Sequence, residues 1–399
     1  PPAGTDAAPG YRALFRLPGF AGLWLSFALT VGASALAGLT LGTLVYERTG
    51  SPLLTAVGTH GATLATVLGA LTLMSVADGR RPRRTLLVLQ WCSVAGVAAQ
   101  AVPGLPSAAR LGLVLSLGFT HSLATGCRLG LLTGTVPPTG YARARSLMGL
   151  TAAGATALCQ ATGALLLSFL SPAGPLLIAA ALLAAGAVVV ATTVRERPPS
   201  PAPDARSARP GVRATLAVNR RLLSRPGRRA LLLNLWVPNG LVAGCSALFV
   251  PHSPQHAGLL LAAGSLGTAA GDLLVGRLLA ARARRRSAFA LRLLLAAPWP
   301  LFLLDPPPAV LAAAVFSASL GYAASLPLQE RLLVTTPEAE RGQVQGVDAA
   351  GRPAWQGLGA LFAGALAQVV GPAGAMTVVA GLSLAVTLAS RPFAARAGV

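Results

Sequence analysis

The chain has 399 residues, of which 54% are hydrophobic and only 11% are charged. Soluble proteins average about 25% charged residues, so this composition excludes an ordinary soluble enzyme. The charges are 32 basic residues, all arginine, against 11 acidic ones, for a formal charge of +21. A nucleic-acid-binding protein clusters such charges on one exposed face, whereas a membrane protein places them in short loops between apolar segments.

Twelve apolar segments follow one another along the chain, and most reach the roughly 20 residues that a helix needs to cross a bilayer. Turn-forming sequences such as Thr49-Gly50-Ser51-Pro52 and Pro306-Pro307-Pro308 separate them. The sequence therefore predicts an all-α membrane protein with twelve transmembrane helices. The predicted spans are 20–46, 52–77, 86–102, 111–136, 147–170, 173–194, 230–250, 255–280, 288–304, 309–334, 344–370 and 373–390.

The arginines lie almost entirely on one side of these spans. If the N-terminus is cytoplasmic, 25 arginines fall in cytoplasmic segments, five fall inside the spans, and two, Arg48 and Arg110, fall on the opposite side. Positively charged loops stay in the cytoplasm. We therefore expect a multi-pass protein of the inner (plasma) membrane with both termini cytoplasmic.

The longest loop, 195–229, is rich in proline and arginine and divides the chain into two halves, 1–194 and 230–399. Ala152-Ala153-Gly154 in the fifth span recurs as Ala349-Ala350-Gly351 in the eleventh, and Trp24 in the first has a counterpart in Trp236 in the seventh. The same order in both halves predicts two six-helix pseudo-repeats. Transporters are commonly built this way, with the ligand near the midplane.

Three stretches carry a family resemblance. Phe15-Arg16-Leu17-Pro18-Gly19-Phe20 and Tyr46-Glu47-Arg48-Thr49-Gly50-Ser51-Pro52 bound the first span, and Arg128 lies nine residues before Pro137. In these stretches the chain resembles the macrolide-efflux-like drug:proton antiporters, a branch of the major facilitator superfamily. The resemblance implies a cavity lined by spans one, four, seven and ten, alternating access, and a proton gradient as the energy source without a cofactor.

Asp78, followed by Arg83 and Arg84, is similar to the superfamily's loop motif between the second and third helices. The resemblance implies a latch at the cytoplasmic ends of the helices. The alternative is that Asp78 caps a turn and the arginines only set topology. Met74 in place of the motif's glycine, and Ala280 in place of the acid in the second half, depart from the pattern.

Ionisable residues inside spans are costly and usually functional. Asp348 and Arg352 are four residues apart and share a helix face, so they can pair. With Glu330, Arg128 and Asp78 they predict one charged network in the cytoplasmic half of the protein. The alternative for charges near helix ends is snorkelling to the interface.

Three residues are candidates for proton coupling: Asp272, Asp348 and His121. Asp272 lies inside the eighth span, and it either titrates or pairs with Arg277. His121 lies near the middle of the fourth span, and histidine titrates near neutral pH. His60 on the second span is interpreted instead as a hydrogen-bonding residue between helices.

The candidate substrate-binding residues are Trp24, His121, Trp236, Asn239 and Tyr322. Pro238-Asn239-Gly240 is expected to interrupt the seventh helix, and broken helices expose backbone polar groups to a site. The aromatic residues alternatively anchor the helices at the interface or pack them. With few fixed charges, the cavity is expected to suit apolar or mildly cationic substrates.

A lysine-free chain cannot contain the phosphate-binding loop of an ATP-driven pump. Its four cysteines are scattered singly, which argues against a metal cluster. The sequence thus predicts no enzyme but a monomeric exporter of an amphipathic or hydrophobic small molecule, in contact with lipids and not with nucleic acid. Two alternatives stay open: an importer or siderophore-type exporter of the same fold, and a transport-inactive membrane sensor or assembly partner.

Overall fold

The computed structural model describes residues 11–77, 82–195, 224–337 and 341–396, and within these ranges the chain is helical with no strand. The helices are α1 Tyr11–Phe15, α2 Phe20–Thr49, α3 Pro52–Ala77, α4 Pro82–Gln100, α5 Ser107–Thr135, α6 Pro138–Phe169, α7 Ala173–Thr193, α8 Pro226–Ala247, α9 Phe249–His252, α10 Ala257–Leu273, α11 Ala281–Ala296, α12 Pro308–Leu320, α13 Ser325–Val334 and α14 Arg341–Arg396. Asp78 and most of the loop 195–229 lie outside the described residues.

Eight helical segments in the described ranges are long and apolar enough to cross a membrane. One of them, Val347–Ser390, has 44 residues. It lies within α14, which is kinked at Gly371, where φ is 76° and ψ is 164°. Only glycine adopts that backbone conformation readily. The protein is thus an all-helical, multi-pass membrane protein.

The turn between α2 and α3 shows how local sequence sets a helix boundary. Gly50 takes the left-handed conformation, with φ 60°, and its N–H donates to Tyr46 O at 2.8 Å, which ends α2. Ser51 Oγ accepts from Leu54 N at 3.3 Å, and Pro52 begins α3. A serine cap before a proline at the first helical position is a favourable helix start.

The predicted interruption at Pro238-Asn239-Gly240 is wrong, because α8 runs unbroken from Pro226 to Ala247. Pro238 has no N–H to donate to the carbonyl of Asn234 four residues earlier. Arg292 of α11 supplies the missing donor, with its Nη2 2.6 Å from Asn234 O. A side chain distant in sequence therefore replaces the hydrogen bond that Pro238 cannot make.

Three other predicted spans change helix type along their length. The eighth ends in a π-helical turn, Leu274–Leu278, and the ninth ends in a 3-10 helix, Trp299–Leu304. The tenth is divided by a 3-10 turn, Gly321–Ala324, between α12 and α13. At Gly321 a Cβ would lie 2.5 Å from Leu291 O, so glycine permits the close approach of α11.

The N-terminal helices α1–α7 meet the C-terminal helices α8–α14 closely at the end of the bundle opposite the arginine-rich loops. There Tyr46 Oη donates to Pro251 O at 3.3 Å and Gln368 Nε2 donates to Ser51 Oγ at 3.0 Å. A Cβ at Gly258 would lie 2.7 Å from Gln160 O. These contacts form a tight seal at the arginine-poor end.

Candidate functional site

A central cavity of about 260 Å³ lies between the N-terminal and C-terminal helix groups, on the inner side of this seal. Tyr322, a predicted cavity residue, lines it. The other polar side chains that line it are Ser34, Thr59, His60, Gln160, Ser246, Ser265, Thr268 and Ser319. Among the described lining residues there is no carboxylate, arginine or other fixed charge, so the cavity offers hydrogen bonds within an apolar wall.

His60 makes the hydrogen bond between helices that the sequence predicts, and it also lines the central cavity. Its Nδ1 is 2.9 Å from Thr59 Oγ1 and its Nε2 is 3.4 Å from Ser246 Oγ on α8. A second link across the same cavity runs from Ser265 Oγ to Gln160 Oε1 at 2.9 Å. His60 therefore bridges the two helix groups as predicted, whereas no local sequence signal indicates that it does so beside the cavity.

A second cavity, of about 380 Å³, lies among α2, α5 and α6, and we call it the α2–α5–α6 cavity. His121 lines it, together with Arg128 and Arg145. Arg128 is only 3% exposed, its Nη2 donates to Thr30 Oγ1 at 3.1 Å, and its guanidinium lies 5.6 Å from the centre of the Phe27 ring. His121 and Tyr322 thus line two different cavities.

Three of the predicted substrate-binding residues, Trp24, Trp236 and Asn239, line neither of these cavities. Trp24 Nε1 donates to Thr151 Oγ1 at 2.7 Å, and Trp236 Nε1 donates to Asp348 Oδ1 at 3.1 Å. Asn239 Nδ2 donates to Ser325 Oγ at 2.9 Å, and its Oδ1 accepts from Arg292. In this conformation all three side chains join neighbouring helices.

Asp348 is a buried carboxylate, 4% exposed, that three side chains stabilise. Besides Trp236, Gln329 Nε2 donates to its Oδ2 at 2.8 Å, and Arg352 Nη2 lies 3.3 Å from the same oxygen. Asp348 therefore connects α8, α13 and α14. The pairing with Arg352 follows the four-residue spacing.

Asp272 is exposed and interacts electrostatically with Arg352 of α14. The predicted alternative, an ion pair with Arg277, is absent from the described ion pairs, because Arg277 Nη2 instead donates to Tyr11 Oη at 2.9 Å. The ion-pair partner of Arg352 is Asp348, and its interaction with Asp272 acts over a longer distance.

Asp78, one member of the predicted cytoplasmic charged network, lies outside the described residues, and the described members make separate contacts. Glu330 pairs with Arg284 of α11 at 2.6 Å, and Arg83 Nη2 donates to Ala191 O at 2.6 Å. Arg128 lies among the N-terminal helices, apart from the pair of Asp348 and Arg352. Arg284 was not among the predicted site residues, because pairing across helices depends on their register.

The two tryptophan contacts occupy equivalent positions in the predicted internal repeat. Trp24 and Trp236 are counterparts, and Thr151 and Asp348 each immediately precede the repeated Ala-Ala-Gly. In each half the indole therefore contacts the residue at the same position of the repeat. Trp24 of α2 reaches α6, and Trp236 of α8 reaches α14. The N-terminal acceptor is a neutral hydroxyl, whereas the C-terminal acceptor is a carboxylate.

Comparison with known proteins relates part of the sequence to one family and the whole chain to one fold. Residues 247–396 match the sequence profile of the Major Facilitator Superfamily, and no curated protein matches the chain in sequence. A POT family transporter in complex with 5-aminolevulinic acid superposes with a TM-score of 0.73 at 10% identity, covering 98% of each chain. The nucleoside transporter NupG gives a TM-score of 0.68 at 15% identity, covering 93% of this chain and 98% of its own.

A bacterial homolog of the human lysosomal transporter Spinster, in an inward-facing and unoccupied conformation, gives a TM-score of 0.67 at 14% identity over 94% of each chain. At these identities the likeness concerns the fold. The profile match is confined to residues 247–396, and the superpositions show that the whole chain shares the fold of these transporters.

Proposed function

We propose that this protein is a secondary active transporter that exports an amphipathic or hydrophobic small molecule, a drug or natural product, by proton antiport and alternating access. The observation that carries the proposal is the central cavity between the two helix groups, sealed at the arginine-poor end by close helix contacts. A site between two groups of helices can face either side of the membrane if those groups rock against each other.

The proposed architecture has twelve transmembrane helices in two six-helix halves, 1–194 and 230–399, joined by the cytoplasmic segment 195–229. It is supported by counting the long helices. Dividing the 44-residue segment Val347–Ser390 at Gly371 raises eight membrane-crossing candidates to nine, and α3, α4 and α5 have 26, 19 and 29 residues. With the arginine-rich ends in the cytoplasm, this arrangement puts both termini on the cytoplasmic side of the inner membrane.

Proton coupling is assigned to Asp272, Asp348 and His121, and the contacts of Asp348 support this. Protonation of Asp348 removes its ion pair with Arg352 and weakens the hydrogen bonds from Trp236 and Gln329. Because Trp236 is on α8, Gln329 is on α13 and Asp348 is on α14, a proton changes the interaction between helices. Such a two-state contact is what a coupling ion must bias.

Around this centre, Asp78, Arg83, Arg84, Arg128, Glu330 and Arg352 are proposed to hold the cytoplasmic ends together in the outward-facing state. The assignment to the macrolide-efflux-like branch rests on the Tyr46–Pro52 and Phe15–Phe20 stretches. The proposed transporter works as a monomer, uses the proton gradient without a cofactor or ATP, and contacts its substrate and membrane lipids but no nucleic acid.

Reconstituted transport tests this proposal. The purified protein is placed in liposomes under an imposed pH gradient, and fluxes of protons and of a panel of dyes and antibiotics are followed together. We expect substrate movement against proton flow, and uncoupling in at least one of Asp272→Asn, Asp348→Asn and His121→Gln. Glu47→Gln, at an exposed acid on the opposite end of α2, is the matched control.

Each of the other possible results of this transport experiment supports one of the alternative functions. Substrate movement with the proton identifies an importer, and transport confined to iron-chelating compounds identifies a siderophore-type exporter. The absence of any substrate-dependent proton flux favours the transport-inactive sensor. If all three variants still couple, the assignment of the coupling residues is wrong.

A further inference from the structure

The α2–α5–α6 cavity is lined by positively charged and hydrogen-bond-donating side chains. Arg128, Arg145, His121 and Thr125 line it, and none of its described lining residues is acidic. The remainder of the wall is mainly apolar and includes Phe27 and Met148. This combination differs from the central cavity, whose described lining holds no arginine.

Arg128 is buried without a carboxylate partner among the described residues. Its hydrogen bond goes to a neutral hydroxyl, Thr30 Oγ1, and its Nε has no partner although it is fully shielded. Burying a charge is costly unless it is paired. Two other buried arginines of the described chain, Arg110 and Arg292, also lack a carboxylate, but each donates two or three hydrogen bonds to carbonyl oxygens. Arg128, with its one described hydrogen bond to a hydroxyl, is less well compensated.

The cavity has the dimensions of a ligand site. Its volume of about 380 Å³ is within the range of roughly 300–1,000 Å³ for small-molecule pockets. Arg128 lies seven residues before the end of α5 at Thr135, or about 10 Å from the arginine-rich end of the bundle. Arg145 lies seven residues after the start of α6 at Pro138, at a similar depth, and it is exposed. A ligand entering from this end therefore meets both arginines at about the same depth.

We propose that the α2–α5–α6 cavity binds an amphipathic anion, with a carboxylate, sulfonate or phosphate group between Arg128 and Arg145 and an apolar portion against Phe27 and Met148. Guanidinium groups bind such oxyanions through two parallel hydrogen bonds. This substrate class, which rests on the proposed transport function, differs from the apolar or mildly cationic molecules expected from the sequence. The difference arises because folding brings Arg145 of α6 to the same cavity as Arg128 of α5.

Equilibrium binding of charge-matched probes tests the site. The full chain is placed in phosphatidylcholine nanodiscs and titrated with naphthalene-1-sulfonate, 1-naphthoate, 1-naphthylmethylammonium and 1-naphthylmethanol, with empty nanodiscs as the blank. We expect the two anions to bind at least 10-fold more tightly than the ammonium and the alcohol. Equal binding of the ammonium and the sulfonate overturns the proposal.

Variants locate the binding to this cavity. Arg128→Gln and Arg145→Gln are each expected to weaken anion binding at least 10-fold, whereas Arg282→Gln, at an exposed arginine of α11, leaves it unchanged. Unchanged binding in Arg128→Gln overturns the proposal. Should that variant fail to fold, the exposed Arg145→Gln decides in the same way.

The head group of an anionic lipid and a free amphipathic anion both carry an oxyanion that could bind between the two arginines of this cavity. Nanodiscs with added phosphatidylglycerol distinguish them, because competition with the sulfonate identifies a headgroup as the occupant, and the absence of competition identifies a free anion. The binding assay uses no pH gradient. If the anions do not bind, the anion site is contradicted and proton-coupled transport is not. If the anions bind but no transport is found, only the proposed transport function is contradicted.

Discussion

Arg292 is a buried arginine whose role is structural. It is 2% exposed, and its donors go to Asn234 O and to Asn239 Oδ1 on α8, where Pro238 leaves the helix one donor short. Arg110 acts in a similar way at the opposite end of the bundle, where its guanidinium donates to the carbonyl of Gln100 at the end of α4 and to those of Val102 and Leu105 in the turn that follows. Both arginines donate to carbonyl groups, unlike Arg128.

We predict that Arg292→Met destabilises the protein by about 2–4 kcal/mol, because it leaves two buried acceptors without donors. In a Pro238→Ala background the loss should be about 1 kcal/mol smaller, since the alanine introduced there donates its own N–H to Asn234 O. The measurement is unfolding by SDS in mixed micelles, followed by tryptophan fluorescence. Arg229→Met, at an exposed arginine, is the control. Equal losses in both backgrounds would contradict this account of the helix.

The two tryptophan contacts give a second prediction at this scale. Trp236 donates to a carboxylate and Trp24 to a hydroxyl, and hydrogen bonds to charged groups contribute about 1.5–3 kcal/mol against about 1 kcal/mol for neutral ones. Trp236→Phe should therefore lower the unfolding free energy more than Trp24→Phe does. Comparison of the two in one unfolding series checks this, and a larger loss for Trp24→Phe would disprove it.

At the scale of elements, glycines let α8 and α14 pack backbone against backbone. A Cβ at Gly359 would overlap Gly240 O, and a Cβ at Gly244 would lie 2.5 Å from Gly359 O. Small residues at such positions are how membrane helices approach closely, since packing rather than hydrophobic burial drives their association. The overlap is with backbone, so neither helix can relieve it by a side-chain rotation.

We predict that Gly359→Ala destabilises the protein by about 1–3 kcal/mol, the usual loss when a well-packed interface is overfilled. Gly381→Ala, further along the same helix, meets nothing within 4 Å and should be neutral or stabilising by up to about 1 kcal/mol. The two variants are compared by SDS unfolding. Similar losses at both positions would show that packing against α8 is not the cause.

At the scale of the whole molecule, the seal at the arginine-poor end determines which side the central cavity faces. Gly258 of α10 packs against Ala164 and Gln160 of α6, and Gly364 of α14 packs against Ala56 of α3. These contacts join the two helix groups. A larger side chain there opposes this closed arrangement and favours any state in which that end is open.

We expect Gly258→Leu to open the central cavity toward the arginine-poor side. Ser246, which lines that cavity, is changed to Cys in a chain whose four native cysteines are replaced, and a membrane-impermeant maleimide is added from that side. Gly258→Leu should speed labelling about 10-fold, which corresponds to about 1.4 kcal/mol of population shift. Gly154→Leu, on a free helix surface of α6, should leave the rate unchanged, and no acceleration by Gly258→Leu would refute the assignment of the seal.

Sequence by itself determined the chemical class of the molecule: a multi-pass helical membrane protein with arginines concentrated on one side and an internal repeat. These follow from length, apolar composition and the position of charges along the chain, which are local properties. The pairing of Asp348 with Arg352 was also accessible, because both lie on one helix. The Thr-Gly-Ser-Pro turn was predictable because glycine and proline act on their own backbone.

Tertiary structure alone decided which residues meet. It replaced the hydrogen bond that Pro238 cannot make in α8, joined Trp24 and Trp236 to neighbouring helices, brought His60 to the central cavity, and left Arg128 beside Arg145 without an acid among the described residues. The physical reason is that these helices are apolar on most faces, so their hydrophobic pattern does not specify rotation or register. Close packing of small residues and a few cross-helix hydrogen bonds set both, and they exist only in the assembled bundle.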